Sequence, residues 1–268
     1  MRDRQRTWAI VTTILCACWA GLTWAAEAAK PAESPKTEDR AAAAPSKDDE
    51  AAGIVRVTKD YDLWIDPKRK MVIMDGRVCL REGQLEMFAC PKGTKEHESI
   101  VSVNCKAQFV HAALMAVGAQ PGKPVSFDPA YRPASGPVVE VYVLWQDAAG
   151  NKNRVRAQEW VKELKTEKAM EQPWVFTGSG FWTDDSTGER FYQADGGDFI
   201  CVSNFPTAML DLPIQSTQAN ESLMFAAFTE RIPPLDTKVR LVLIPQLDKK
   251  QEAGKTKKQA PAKQPTTP

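Results

Sequence analysis

A succession of short apolar runs, cut apart by proline, glycine and acidic turns, limits what this chain can fold into more than any other feature. VVEVYVLW (138–145) and KVRLVLIP (238–245) are rich in β-branched or apolar residues and bounded by Pro or Gly, which is the pattern of β-strands. YDLWID (61–66) and KMVIMDG (70–76) flank DPKRK, a candidate hairpin turn. GRVCLREG (76–83), ESIVSV (98–103), PWVFTGSGFW (173–182), ERFYQA (189–194) and GDFICVSN (197–204) extend the series. Turn-rich segments at 147–153 and 184–188 join neighbouring strands. Helical spacing is clear in KAQFVHAALMAV (106–117), where Val110, Ala113, Leu114 and Val117 share one face and Gly118 and Pro121 supply the stop. Short helices are expected at Ala157–Lys165 and Asn220–Thr229. Together these elements predict an α+β domain built on a mostly antiparallel β-sheet.

The two ends of the chain bound that domain. Residues 2–6 are basic and 8–26, WAIVTTILCACWAGLTWAA, are apolar or small, which reads as a secretory signal peptide over 1–26 with cleavage after Ala25 or Ala26. An uncleaved membrane helix and lipid attachment at Cys18 are the alternatives. Residues 27–52 contain no Val, Ile, Leu, Met or aromatic side chain, so a disordered linker is expected there. Residues 247–268 carry six Lys against two acids and three Pro and read as a disordered basic tail, with cell-envelope contact as its functional reading. The region between, 53–246, suits one domain. A net charge of +1 over the whole chain gives no global field for nucleic acid. The expected location is extracytoplasmic, periplasmic or secreted, and the expected state a monomer or weak oligomer.

The chemistry-bearing residues concentrate in FACPKGTKEHESI (88–100), with a cysteine, two lysines, two glutamates and one of the chain's two histidines. CPKG reads as a type I turn and the residues after it as a strand, in which His97 shares a face with Ser99, Val101 and Val103. His111 lies on the flank of the helix's apolar stripe, and a helix folded back on the strand would bring the histidines together. Three readings follow. One is a metal site of His97, His111, Cys90, Glu98 and Glu86, suited to zinc or copper, with Glu98 or Glu86 as general base if it is an enzyme. The spacing contains no CxxC, HExxH or HxH. The second is a Cys90 nucleophile with a histidine base, its thiol acidified by Lys92 and Lys95. The third is structural, with the histidines at the core edge and Glu96 and Glu98 on a solvated face.

Four cysteines lie beyond residue 26, namely Cys79, Cys90, Cys105 and Cys201. Two disulfides, or none, are compatible with an exported domain of this size. A Cys90–Cys105 disulfide is the favoured pairing, with Cys79 on an exposed face and Cys201 as a buried thiol. Asp195, Asp198 and Asp211 suit turn and cap roles better than calcium ligation. Trp174 and Trp182 bracket VFTGSGF and would suit a sugar platform if exposed, whereas core positions are the default.

GQLEMFACPKGTKEHESI (83–100), FVHAALMAVGAQPG (109–122), ASGPVVEVYVLW (134–145), PWVFTGSGF (173–181) and DFICVSNFPTAMLDLP (198–213) together resemble the YdjY-domain family of exported bacterial proteins. The most specific piece is the LE…KEHES…H block. The resemblance implies a single extracytoplasmic domain and adds no reaction. Some relatives are labelled ferredoxin-like, but an iron–sulfur cluster needs close-set cysteines, and these four are not close-set. The resulting expectation is a non-catalytic extracytoplasmic binding module of unknown ligand. A metal-binding protein or metal-dependent enzyme centred on His97 and His111, and a cell-envelope structural protein, are the alternatives.

Overall fold

A computed structural model gives the structure, which describes residues 53–216 and 223–247. The leader, the linker and all of the tail beyond Leu247 lie outside the described residues. So does the beginning of the helix expected at Asn220–Thr229.

The strands are β1 (Val55–Arg56), β2 (Leu63–Asp66), β3 (Met71–Val78), β4 (Met87–Pro91) and β5 (Ser99–Val103). They continue with β6 (Val138–Gln146), β7 (Lys152–Arg156), β8 (Val161–Glu163), β9 (Trp174–Phe176) and β10 (Phe181–Thr183). The last five are β11 (Arg190–Tyr192), β12 (Ile200–Cys201), β13 (Leu210–Asp211), β14 (Phe225–Ala227) and β15 (Lys238–Pro245). The α-helix among the described residues, α1, spans Ala107–Ala116, and short 3-10 turns cover Glu96–Glu98 and Ala157–Trp160.

The architecture corrects the expected α+β fold with its mostly antiparallel sheet. In the main sheet β3 is followed by β15, β6, β9, β13, β12, β4 and β5, and β5 then pairs back onto β3. The result is a closed eight-stranded β-barrel with one α-helix packed on it. Around the ring, β4–β5 and β12–β13 are parallel and the other pairings antiparallel. Two short-helix expectations also fail. Ala157–Trp160 is one 3-10 turn running into β8, and Phe225–Ala227 is strand β14, paired with β8 in a small separate sheet. Pairing between distant segments outweighed local helix propensity in both cases.

Strand alternation fills the barrel. On β15, Val239, Leu241 and Leu243 are buried, as are Val139, Val141 and Val143 on β6, while Arg240 and Tyr142 point the other way and stay partly exposed. These valines and leucines join Met74, Phe88, Trp174 and Leu210 in the main core, as expected of a barrel this narrow, whose interior side chains occupy. Helix α1 adds Ala107, Val110, Ala113 and Leu114. Its N-terminal end is held by Asp195, whose Oδ1 accepts from Gln108 N at 3.0 Å, so this acid has the cap role read from the sequence.

Closure depends on Gly76. It pairs with Val239 of β15 on one side and with Val103 of β5 on the other. A Cβ at this position would lie 2.5 Å from Ser102 O and 3.2 Å from both Val101 Cγ1 and Val103 Cγ1. The obstruction is backbone, so β5 must retreat from β3 to admit a methyl group. Gly76→Ala is therefore expected to cost about 1–3 kcal/mol, the range for overpacking, seen as a lower urea midpoint. Gly196→Ala, with nothing within 4 Å of its added Cβ, is expected to leave the midpoint nearly unchanged.

Candidate functional site

The two parallel pairings create the chemically richest part of the surface. Parallel neighbours ordinarily need a crossover of a dozen or more residues, yet β4 and β5 are joined by 92–98 and β12 and β13 by 202–209. Such short connections are held by side chains. Thr94 Oγ1 donates to Pro91 O at 2.6 Å, Ser99 Oγ to Lys95 O at 2.7 Å, and Gly93 N to Glu96 Oε1 at 3.0 Å. The opening CPKG is correspondingly not a turn, since Cys90 and Pro91 belong to β4 and the chain turns after them.

Lys95 projects from the first crossover into three carboxylates. Its Nζ lies 3.1 Å from Asp198 Oδ1, 3.4 Å from Glu98 Oε1 and 3.6 Å from Glu86 Oε2. The Phe205 ring, from the second crossover, sits 4.4 Å from the same nitrogen in a cation–π contact. Thr207 Oγ1 donates to the other Asp198 oxygen. Gly197 makes room for the lysine stem, because a Cβ there would meet Lys95 Cγ at 2.6 Å. Burial pulls the Lys95 ammonium down, but Asp198, Glu98 and Glu86 outweigh it and the net shift is upward. Burial pushes Glu86 up, Glu98 adds to this, and Lys95 opposes it. A lysine held this way is a cross-link, with the charge of one cation shared among three acids.

Behind this cluster β12 and β13 bury further polar groups. Ile200 faces the main core, whereas Cys201 packs with Met87, Phe205 and Ala208 in a separate small cluster. Asp211 is fully buried. Its Oδ1 accepts from Asn204 Nδ2 at 3.0 Å and from Leu212 N at 2.7 Å, and Ser216 N donates to Asn204 Oδ1 at 2.8 Å. Burial raises the Asp211 carboxyl from 3.8 to about 7, against the opposing hydrogen bonds from Asn204 and Leu212.

The structure does not gather the residues chosen from the sequence as metal ligands. Glu86 and Glu98 do meet, at Lys95. His97 is in the 3-10 turn rather than in a strand, its side chain is 78% exposed, and its Nε2 lies 3.8 Å from Glu98 Oε2. His111 has other partners. Its Nδ1 is 2.9 Å from Tyr192 Oη, and its ring meets Phe176 and Tyr192 edge-on. Tyr192 Oη donates its one proton to Gly178 O at 3.0 Å, so Nδ1 is the donor to the phenol oxygen. Burial lowers the His111 pKa, and the Gly178 backbone opposes the shift. Among the described residues no group of three or more His, Cys, Asp and Glu side chains could hold a metal ion.

All four described cysteines are free, so the structure carries no Cys90–Cys105 disulfide. Cys79 is half-buried rather than exposed, and its Sγ donates to Ser99 O at 3.0 Å. The neighbouring Cys79 thiol lowers the Cys90 pKa, with burial opposing, and the Cys79 thiol is pushed up by Cys90 and by burial. Burial raises Cys105 to about 12 and Cys201 well above its ordinary value.

One further surface stands apart from the barrel. Strands β10 and β11 form their own two-stranded hairpin. Trp182 and Phe191 pair across it and stack with ring centroids 4.9 Å apart and planes inclined by 21°. Their exposures are 47% and 36%, that of Phe181 is 50%, and Arg190 lies 4.2 Å above the Phe181 ring. Trp174, by contrast, is buried, with Nε1 donating to Cys201 O at 2.8 Å. Sequence reading singled out Trp182 but missed Phe191 and Arg190, whose alignment requires knowing the hairpin register. It also missed Lys95 as the hub of an ion cluster, because Asp198 lies about a hundred residues away.

A closed barrel with an ion-paired polar wall and an exposed aromatic hairpin is the class of domain these features define. The family model for the YdjY domain matches residues 63–244, and the chain belongs to that family. Neither the curated proteins nor the solved structures contain a match to it.

Two outcomes test the polar wall. Lys95→Met strands three carboxylates, and is expected to cost about 2–3 kcal/mol at pH 7, below the 3–5 kcal/mol of a fully buried pair. The loss should shrink toward pH 4 as Glu86, whose carboxyl burial pushes up, takes its proton, measured by urea unfolding at both pH values. For Asp211, the folded state keeps its proton to a higher pH than the unfolded chain does. Its stabilising contribution is therefore full below about pH 4 and is lost as pH rises toward 7, at about 1.4 kcal/mol per pH unit. Asp211→Asn should remove this slope, so that wild type loses stability relative to the variant across that window.

Proposed function

We propose that this protein is an extracytoplasmic, non-catalytic binding module that lays a carbohydrate across its aromatic hairpin. The observation that carries the reading is the exposed Trp182–Phe191 stack on one face of the hairpin. Aromatic rings of this size are ordinarily buried, and here three of them face solvent on one short hairpin. A flat ring face accepts the C–H face of a pyranose, and the indole N–H of Trp182 is a donor for a ring hydroxyl. The basic start and apolar run of residues 1–26 support export, which would bring the domain to envelope polysaccharide. The polar wall supports the non-catalytic part of the reading, because Glu86, Glu98 and Asp198 are each engaged by Lys95, leaving the strongest candidate bases committed to ion pairs.

Co-sedimentation with purified peptidoglycan sacculi tests the proposal. Wild-type protein is expected in the pellet, and Trp182→Ala to bind about tenfold more weakly, equivalent to about 1.4 kcal/mol, with unchanged thermal unfolding. Wild-type protein that stays in the supernatant, or a variant that pellets equally, would refute it.

A further inference from the structure

We propose that His111 and Met115 form a two-ligand seat for a soft monovalent cation of the copper(I) and silver(I) class. Both residues lie on helix α1, four positions apart, so their side chains meet on one face of it. His111 Nε2 stands 3.2 Å from Met115 Sδ. Met115 is 40% exposed, which opens the pair to solvent on its sulfur side.

Protons are too few for the contacts made here. Three heteroatom contacts run in a chain: Tyr192 Oη to Gly178 O at 3.0 Å, His111 Nδ1 to Tyr192 Oη at 2.9 Å, and His111 Nε2 to Met115 Sδ. The Gly178 carbonyl and the Met115 sulfur have no proton to give, the phenol has one, and a neutral imidazole has one. Two protons therefore serve three contacts. With the phenol proton on Gly178 O and the Nδ1 proton on the phenol oxygen, Nε2 and Sδ face each other as two lone pairs. An electrophile between them completes the chain. A third proton would have to be shared with a thioether, which is a weak acceptor. Thioether sulfur is, by contrast, a good ligand for copper(I), and imidazole binds copper as well.

The dimensions fit. Metal–nitrogen and metal–sulfur bonds of about 2.0 and 2.3 Å span the 3.2 Å gap at an angle of about 95° at the metal, which leaves its other positions to water or a further ligand. The ring is already set for ligation. Metal-bound histidines donate the second ring N–H to a fixed acceptor, and Tyr192 Oη holds that place here. Phe176 and Tyr192 meet the imidazole edge-on, with centroids 5.0 and 5.6 Å away. Gly178 lies so close that an added Cβ would stand 3.3 Å from His111 Cε1. Both donors are neutral, so binding releases no proton and transfers no electron: the nitrogen and sulfur lone pairs form the two bonds to the cation. Of the residues read from the sequence as metal ligands, only His111 takes part. Trp182 and Phe191 are not involved, so this proposal and the carbohydrate reading stand or fall separately.

The test is a titration of the full-length protein with silver nitrate in chloride-free buffer near neutral pH, its accessible thiols first capped with iodoacetamide. Silver(I) is the redox-inert probe, the methionine methyl resonances report the sulfur, and the imidazole nitrogen shifts report the ring. In the metal-free protein Nε2 of His111 is expected to be the unprotonated nitrogen. Silver should then shift Nε2 and the Met115 methyl together. In Met115→Leu the Nε2 response should require at least tenfold more silver, with thermal unfolding unchanged, and His111→Ala should abolish the Met115 response. Because the His111 ring packs against Phe176, Met115→Leu carries the test if the His111 variant fails to fold. A protonated Nε2 in the metal-free protein, a Met115 methyl that does not move while silver is taken up elsewhere, or an unchanged Nε2 response in Met115→Leu would overturn the proposal.

Discussion

The hydrogen-bonded pairing of Met71–Val78 with Ser99–Val103 is the contact on which the rest of the structure depends. Without it the main sheet would be an open strip with β5 as an unpaired edge, a template for association with other chains. With it, the alternating valines and leucines of β6 and β15 enclose a single interior instead of one face of a sheet. The pairing brings the β5 backbone against β3 so closely that residue 76 cannot carry a side chain. A single glycine thus links sequence to topology: it costs the strand conformational entropy, and in return permits the close approach that closes the ring.

Electrostatics does a different job on the outer wall. Lys95, Glu86, Glu98 and Asp198 come from the segment before β4, the first crossover and the segment before β12. Ion pairs of this kind gain little net stability once the desolvation of each charge is counted. What they add is specificity. One ammonium that must find three carboxylates fixes where the two crossovers lie relative to each other, which apolar packing of Met87, Cys201, Phe205 and Ala208 would leave less well defined. The buried Asp211 carboxyl, bound through Asn204 to the chain at Ser216, extends the same wall inward.

Much of the strand content was legible because it is local. KVRLVLIP corresponds residue for residue to β15, VVEVYVLW lies within β6, and the DPKRK turn does separate β2 from β3. Helix α1 was legible for the same reason, since its stripe of Val110, Ala113 and Leu114 repeats within a dozen residues. Closure was not, because no local pattern says that Val78 will meet Val101. The two-residue strands Ile200–Cys201 and Leu210–Asp211 are too short for periodicity to register. Phe225–Ala227 was misread as helical because its strand character comes from pairing with β8. His97 was misplaced when a 3-10 turn was taken as the start of β5, and one residue of register decides which way a side chain points.

These particulars account for the density of reactive residue types between 88 and 100. A connection that returns the chain for parallel pairing in so few residues has no room for a covering helix and exposes backbone groups that strands would otherwise satisfy. Thr94, Glu96 and Ser99 supply the missing hydrogen bonds, and Lys95 ties the loop to β12. The mixture of Lys, Glu, His, Thr and Ser that looks like an active centre in the sequence is what a tight parallel crossover requires.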